Sequence, residues 1–296
     1  GGMAYLYESV NKTVGLIGIP WYNVFGEHDA NQDAIPERKY TDETFERLYG
    51  PAYYSFDYGP VHFVVLSNPD YSTGKNYQAS LGADQIEFLR NDLALAPADQ
   101  LVVLLMHIPL TQMTDKAEIL ALMQGHPNCL AVAGHWHVHQ HLLLGKTDGW
   151  KGERPFHMLV NGTACGSWWA GERDEFGIPH ATMPDGTPNG YTIASFDGNR
   201  YSLRYKAARK PDDYQISLFA PDRVTPSEAE VTEVVANVFD GTDKTKVEMR
   251  LSADSPWVEM QRALKKDPYY SKLKSQERVT TTESKLPAPV DSNHIW

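Results

Sequence analysis

Apolar positions along the chain gather into short continuous runs rather than long periodic ones. Residues 14–24 (around Gly15 and Pro20), 61–66, 101–105 and 130–133 are such runs, each bounded by polar or glycine positions. Runs of this length suit strands buried on both faces. Between the second and third, Ile86, Leu89, Leu93 and Ala94 recur at helical spacing behind an Asp84 to Glu87 start, which predicts a helix over 82–95. A shorter helical stretch over 115–124 separates the third run from the fourth. Strand, helix, strand, helix, strand predicts an α/β layered core.

After position 140 the texture changes. Segments 191–196 and 201–205 alternate across Asp197-Gly198-Asn199, the pattern of a β-hairpin. From about Lys210 the chain reads as β-like throughout, with 214–219, 230–239 and 246–251 separated by turns that contain proline or glycine. We therefore expect a core domain over 1–208 and a smaller β-sandwich domain over 209–296, with 280–292 as a long surface connection. No tandem repeat is visible.

Composition narrows the function classes. The 296 residues are 42% hydrophobic and 22% charged, far from the profile of a disordered chain, and suffice for two domains with buried cores. A formal net charge of -11 provides no diffuse positive field, so neither nucleic acid nor an anionic membrane is an expected partner. Bound metal ions can still make a pocket locally positive for a phosphate ester. No apolar run reaches the roughly 18 residues of a membrane span, and Gly1-Gly2-Met3-Ala4-Tyr5 has neither the basic flank nor the apolar stretch of a signal peptide. Cys129 and Cys165 form no C-x-x-C pair, which excludes a zinc ribbon or a disulfide scaffold and reads as free thiols.

Three short segments that follow apolar runs carry side chains able to bind metal: Gly26-Glu27-His28-Asp29, Met106-His107-Ile108-Pro109 and Gly134-His135-Trp136-His137. In a layered α/β protein the carboxyl ends of neighbouring strands share one edge, where ligand sites form. Alternate residues of an extended segment point the same way, so His135 and His137 can serve one ion or two adjacent ions. His139 and His141 continue the alternation, but each step of two residues adds about 6.6 Å along a strand, so they are expected to support the site or lie at the surface. His62, His126, His157 and His294 carry no motif and read as structural.

In this order the three segments resemble the calcineurin-like metallophosphoesterases, whose motifs run D-x-H, G-D, G-N-H-D or E, a lone His after a strand, and G-H-x-H. The runs Gly166-Ser167-Trp168-Trp169, Gly177 to Met183 and Asp185 to Tyr191 resemble the subgroup with a dedicated C-terminal domain. The resemblance implies an α/β/β/α sandwich with a smaller β-rich C-terminal domain. It also implies a phosphomonoesterase or phosphodiesterase in which a metal-bound hydroxide attacks phosphorus, with two Fe, Mn or Zn ions in an intact site. On that likeness Glu27, His107 and His135 face the second metal and His137 binds the first. His28 acts as general acid or phosphate ligand, with Asp29 orienting its ring. Trp168, Trp169, His180 and Asp185 lie over the substrate pocket, and the partner is a small phosphate ester. Relatives of this kind are often exported, which implies a periplasmic or secreted protein.

The likeness has gaps. D-x-H is missing, and the G-D step has at best a counterpart in Gly1-Gly2, so three of about seven family ligands are unaccounted for. Glu27 stands where the family usually has Asn, adding a negative charge to the site. Glu27, His107 and His135 alone make a two-His, one-carboxylate set for a single ion. The C-terminus also stops where the subgroup's last domain continues. Two readings stay open: an interior piece of a competent enzyme, or a degenerate relative that holds one metal and acts as a binding module.

Overall fold

The computed structural model describes residues 2–31, 40–71, 76–277 and 285–296. Gly1, half of the expected counterpart of the G-D step, and residues 280–284 of the expected connection lie outside that set. The chain forms two compact units, one from residues 1–135 and 145–156, the other from 136–144 and 157–296.

The first unit runs α1 (Gly2–Val14), α2 (Glu43–Tyr49), β1 (Tyr54–Tyr58), β2 (Val61–Val65), β3 (Pro69–Asp70), β4 (Gln78–Ala79), α3 (Gly82–Leu93), β5 (Leu101–Leu105), α4 (Lys116–Met123) and β6 (Cys129–Ala133). Strands β1-β2-β5-β6 lie side by side; β1 is antiparallel to β2, and β2, β5 and β6 are parallel. Apart from Leu105 and Val132, the Val and Leu side chains of β2, β5 and β6 are almost wholly buried, which is why these segments read as continuous apolar runs. Helix α3 buries Ile86, Leu89 and Leu93 at its helical spacing. Its first turn receives a cap from a distant residue, since Asp115 Oδ2 accepts hydrogen bonds from the N–H groups of Leu81 at 2.6 Å and Gly82 at 3.3 Å. The α/β class expected from the sequence is the class observed.

The first apolar run is not a strand. Val14 ends α1, residues 15–17 form a single 3-10 turn, and Gly18 adopts a left-handed φ of 71°. Pro20 has no N–H for a ladder, and Leu16 is 85% exposed. Glu27 accordingly does not follow a strand, whereas His107 and His135 do.

In the second unit come β7 (Gln140–Leu144), β8 (Phe156–Val160), β9 (Gly190–Asp197), β10 (Arg200–Ala207), β11 (Ile216–Phe219), α5 (Pro226–Ala229), β12 (Val235–Val238), β13 (Glu248–Met249), β14 (Val258–Glu259), β15 (Ala263–Lys266), α6 (Pro268–Gln276) and β16 (Asp291–Ile295). β7 lies beside β8, β9 and β10 form the expected hairpin, and β11-β12-β16-β15 make an antiparallel sheet. The reading of everything past Lys210 as β is corrected by α5 and α6. Asp267 starts α6 by accepting the Tyr270 N–H at 2.7 Å, with Pro268 at the first helical position. The end of the expected connection, Asp291 and Ser292, belongs to β16.

Candidate metal centre

Two parallel strands deliver the histidines. Leu105 ends β5 two residues before His107, and Ala133 ends β6 two residues before His135. The two strand ends are tied by Gly134 N–H donating to His107 O at 2.9 Å. Asn68, fully buried just past β2, braces the loop after His107: its amide donates to Ile108 O at 2.7 Å and accepts from Ile108 N–H at 3.0 Å. This is the carboxyl edge of the sheet, where α/β ligand sites form.

Glu27 arrives on a separate one-turn helix, Glu27–Asp29. Its flanks Phe25 and Ala30 are buried with Phe45, Ala52 and Tyr71 in one apolar cluster. Polar bonds pin the turn further: Asp29 Oδ2 accepts from Gly26 N–H at 3.0 Å, Tyr7 OH donates to Asp29 Oδ1 at 3.2 Å, and Tyr71 OH donates to Glu27 O at 3.0 Å.

Glu27, His107 and His135 present ligand atoms that all lie within 4.8 Å of one another. Glu27 Oε2 is 2.5 Å from His107 Nε2, and Glu27 Oε1 is 3.2 Å from His135 Nδ1. Burial pushes the Glu27 carboxyl up, but the imidazoles of His107 and His135 outweigh it and hold the group well below the usual carboxylate range. Glu27 Oε2 and His107 Nε2 are buried and close, yet misaligned for a hydrogen bond with each other. Two buried electron-pair donors facing one point without a proton bond between them is the arrangement a cation satisfies. The two-His, one-carboxylate set suits Zn, Fe or Mn.

His28 points to solvent, with its side chain 82% exposed and Nε2 3.5 Å from Glu27 Oε1. Asp29 directs its oxygens to Gly26 and Tyr7, so it braces the turn rather than the His28 ring. Burial outweighs those bonds and raises its carboxyl. His137 lies in the second unit. Its Nδ1 donates to Gly166 O at 2.5 Å and its ring stacks on Trp168 with centroids 3.8 Å apart. That bond leaves Nε2 as the basic nitrogen, the tautomer of a metal-binding imidazole.

Comparison with known proteins adds a family. Residues 159–296 match the model described as the C terminal of calcineurin-like phosphoesterase. Over those residues the chain is similar to that phosphoesterase family. A solved structure titled "Structure of PhoD" is similar at 15% identity and a TM-score of 0.32, over 52% of this chain and 41% of that one. The chain thus spans less than half the length of that structure. No curated protein matches.

The matched region, 159–296, holds the remaining predicted residues. Trp168 and Trp169 are half exposed and both adopt left-handed backbone, with φ of 53° and 56°. Among the described residues six non-glycine ones have positive φ, and five of them, His135, His137, Trp168, Trp169 and Ala181, fall inside the segments that carry the family likeness. Such conformations cost roughly 1–3 kcal/mol each and concentrate at functional sites. His180 lines a pocket of about 490 Å³ with Arg173, Arg209, Tyr214 and Tyr269. Its Nδ1 lies 3.1 Å from both the Thr182 hydroxyl and the Thr182 N–H. Asp185 is 2% exposed, accepting from the N–H groups of His139 at 2.7 Å and Thr187 at 2.9 Å and standing 3.3 Å from His294.

The same region closes a second polar cluster. His139 Nε2 and His141 Nε2 lie 3.0 and 2.6 Å from Asp240 Oδ1. Both histidines are buried, so neither takes the surface role open to it from the sequence. Gly162 N–H donates to His139 Nδ1 at 3.1 Å, so the proton of that ring sits on Nε2 and points at Asp240. His141 Nδ1 meets His157 Nε2 at 2.8 Å, and His157 Nδ1 meets Tyr201 OH at 2.7 Å. Every ring nitrogen is thereby committed to a hydrogen-bonded chain that ends on one carboxylate. The lone pair that an ion would need from His139 is not directed at Asp240.

Tyr7, Asn68, Tyr71 and Tyr77 belong to the first centre, yet no sequence motif marks them.

Proposed function

We propose that the chain is the metal-binding body of a phosphoesterase that hydrolyses a phosphomonoester or phosphodiester. The observation that supports this most is that Glu27, His107 and His135, from three distant stretches, bring ligand atoms within 4.8 Å of one another. These three residues would hold the ion. When bound, it would supply a lowered pKa to water and neutralise charge on phosphate oxygens.

The chain's own groups do the rest. Glu27, charged and braced by its turn, fixes the cation position. His28, exposed beside Glu27, donates a proton to the leaving oxygen or a hydrogen bond to a phosphate oxygen. Asp29 and Tyr7 keep the turn in register so that His28 projects outward. In the second unit Trp168 holds the ring plane of His137 by stacking.

Ligand number supports a second reading. Three ligands suit one ion, and a one-ion relative can act as a binding module. Metal analysis on the purified chain, paired with hydrolysis of p-nitrophenyl phosphate and bis(p-nitrophenyl) phosphate in added Mn, separates the two. We expect retained metal and turnover in the parent chain, and loss of both in Glu27→Ala and His107→Ala. Retained metal without turnover selects the binding module; equal metal in the parent and both variants would overturn the site.

A further inference from the structure

The two nitrogens of His135 face different groups. Nδ1 lies 3.2 Å from Glu27 Oε1, on the side shared with His107, whereas Nε2 lies 3.4 Å from the hydroxyl of Tyr77. An imidazole that lends Nδ1 to a cation must carry its proton on Nε2, and that N–H then needs an acceptor to fix tautomer and ring orientation. The Tyr77 hydroxyl stands where that acceptor is needed.

Other contacts make the placement specific. The Tyr77 ring meets His135 edge-on at 6.0 Å and 82°, and meets Tyr71 edge-on at 5.9 Å and 65°. Tyr71 itself donates to the Glu27 carbonyl at 3.0 Å. One tyrosine therefore steadies Glu27 and its neighbour steadies His135, with Gln78 of β4 immediately after Tyr77 paired to Asp70 of β3. His135 has a left-handed φ of 68°.

We propose that Tyr77 is a positioning residue for the metal centre, accepting the His135 Nε2–H when an ion is bound so that Nδ1 gives its lone pair to that ion. This rests on the metal-binding reading given above and assigns a role to a residue outside every motif.

The test uses the full chain and Tyr77→Phe, which keeps the ring and both edge contacts and removes only the hydroxyl oxygen. Affinity for Zn and Mn is measured by competition with a chromophoric chelator, the visible spectrum is recorded on the Co-loaded protein, and the melting temperature is taken without metal. We expect affinity to fall about 10- to 100-fold, the Co bands to shift, and the metal-free melting temperature to stay unchanged. Affinity within twofold of the parent overturns the role of Tyr77 and leaves the metal centre standing. A metal-free melting temperature that falls in the variant makes the hydroxyl structural and likewise overturns the role. If the parent chain binds neither metal, the centre itself fails and this inference with it.

Discussion

At Gly26 a methyl group would stand 3.0 Å from His107 Nδ1 and 3.1 Å from its Cγ and Cε1. Gly26→Ala therefore displaces the imidazole by a few tenths of an ångström, because the Glu27 turn behind it is pinned by Asp29 and Tyr71. Titration calorimetry with Zn is expected to show roughly tenfold weaker binding, in the range of other changes that disturb ligand orientation. Unchanged binding would count against the placement of His107. At this scale the sequence was legible where a histidine directly follows an apolar strand, as His107 and His135 do, since strand ends fix the edge on which such residues fall. It was not legible where the partner is a tyrosine hydroxyl from elsewhere in the chain. Tyr7 reaches Asp29 from α1, and nothing in the local pattern around Asp29 distinguishes a bond to Tyr7 from one to His28.

Helices and strands whose apolar residues are buried on every side, or on one regular stripe, were readable: β2, β5, β6, α3 and α4 fall within a residue or two of the expected ranges. Segments decided by other forces were not. Residues 14–24 look like a strand by hydrophobicity alone, but Gly18 and Pro20 break the ladder. The start of α6 is a capping signal, Asp267-Pro268, inside a stretch whose apolar pattern suggests strands. Elements are also joined by polar staples invisible to a hydrophobic pattern. His62 on β2 bonds Asp57 on β1 and Asp92 on α3, each at 2.9 Å. Burial lowers its pKa, but the hydrogen bonds to Asp92 and Asp57 outweigh burial and raise it. With the folded pKa above the unfolded one, the stabilisation is full below about pH 6.5. It is lost as pH rises through the folded value. Denaturant unfolding of the parent and His62→Asn from pH 5 to 9 should show a gap of roughly 1–2 kcal/mol in acid that narrows toward alkaline pH; a gap independent of pH would rule out the charged staple.

Over the whole molecule, histidines respond to acid in opposite senses. In the second unit, burial first and the neighbouring His141 next push His157 down to about 4. A folded pKa below the unfolded value means the native state holds the ring neutral, so stability is present above about pH 6.5 and is lost as pH falls toward 4. The loss attributable to this ring is at most about 3 kcal/mol. We expect His157→Gln to flatten the acid limb of the stability profile, measured by unfolding between pH 7 and 4.5; an unaltered slope would show that another group governs it. The path of the chain has its own consequence. Residues 136–144 belong to the second unit and 145–156 return to the first, so no single cut yields both units intact. During synthesis, His139 and His141 leave the ribosome long before Asp240, the carboxylate that both face. A gene fragment ending near residue 208 would encode the two imidazoles and omit their counter-charge, so useful boundaries for expressing parts of this protein follow its hydrogen-bonded clusters rather than its linear order.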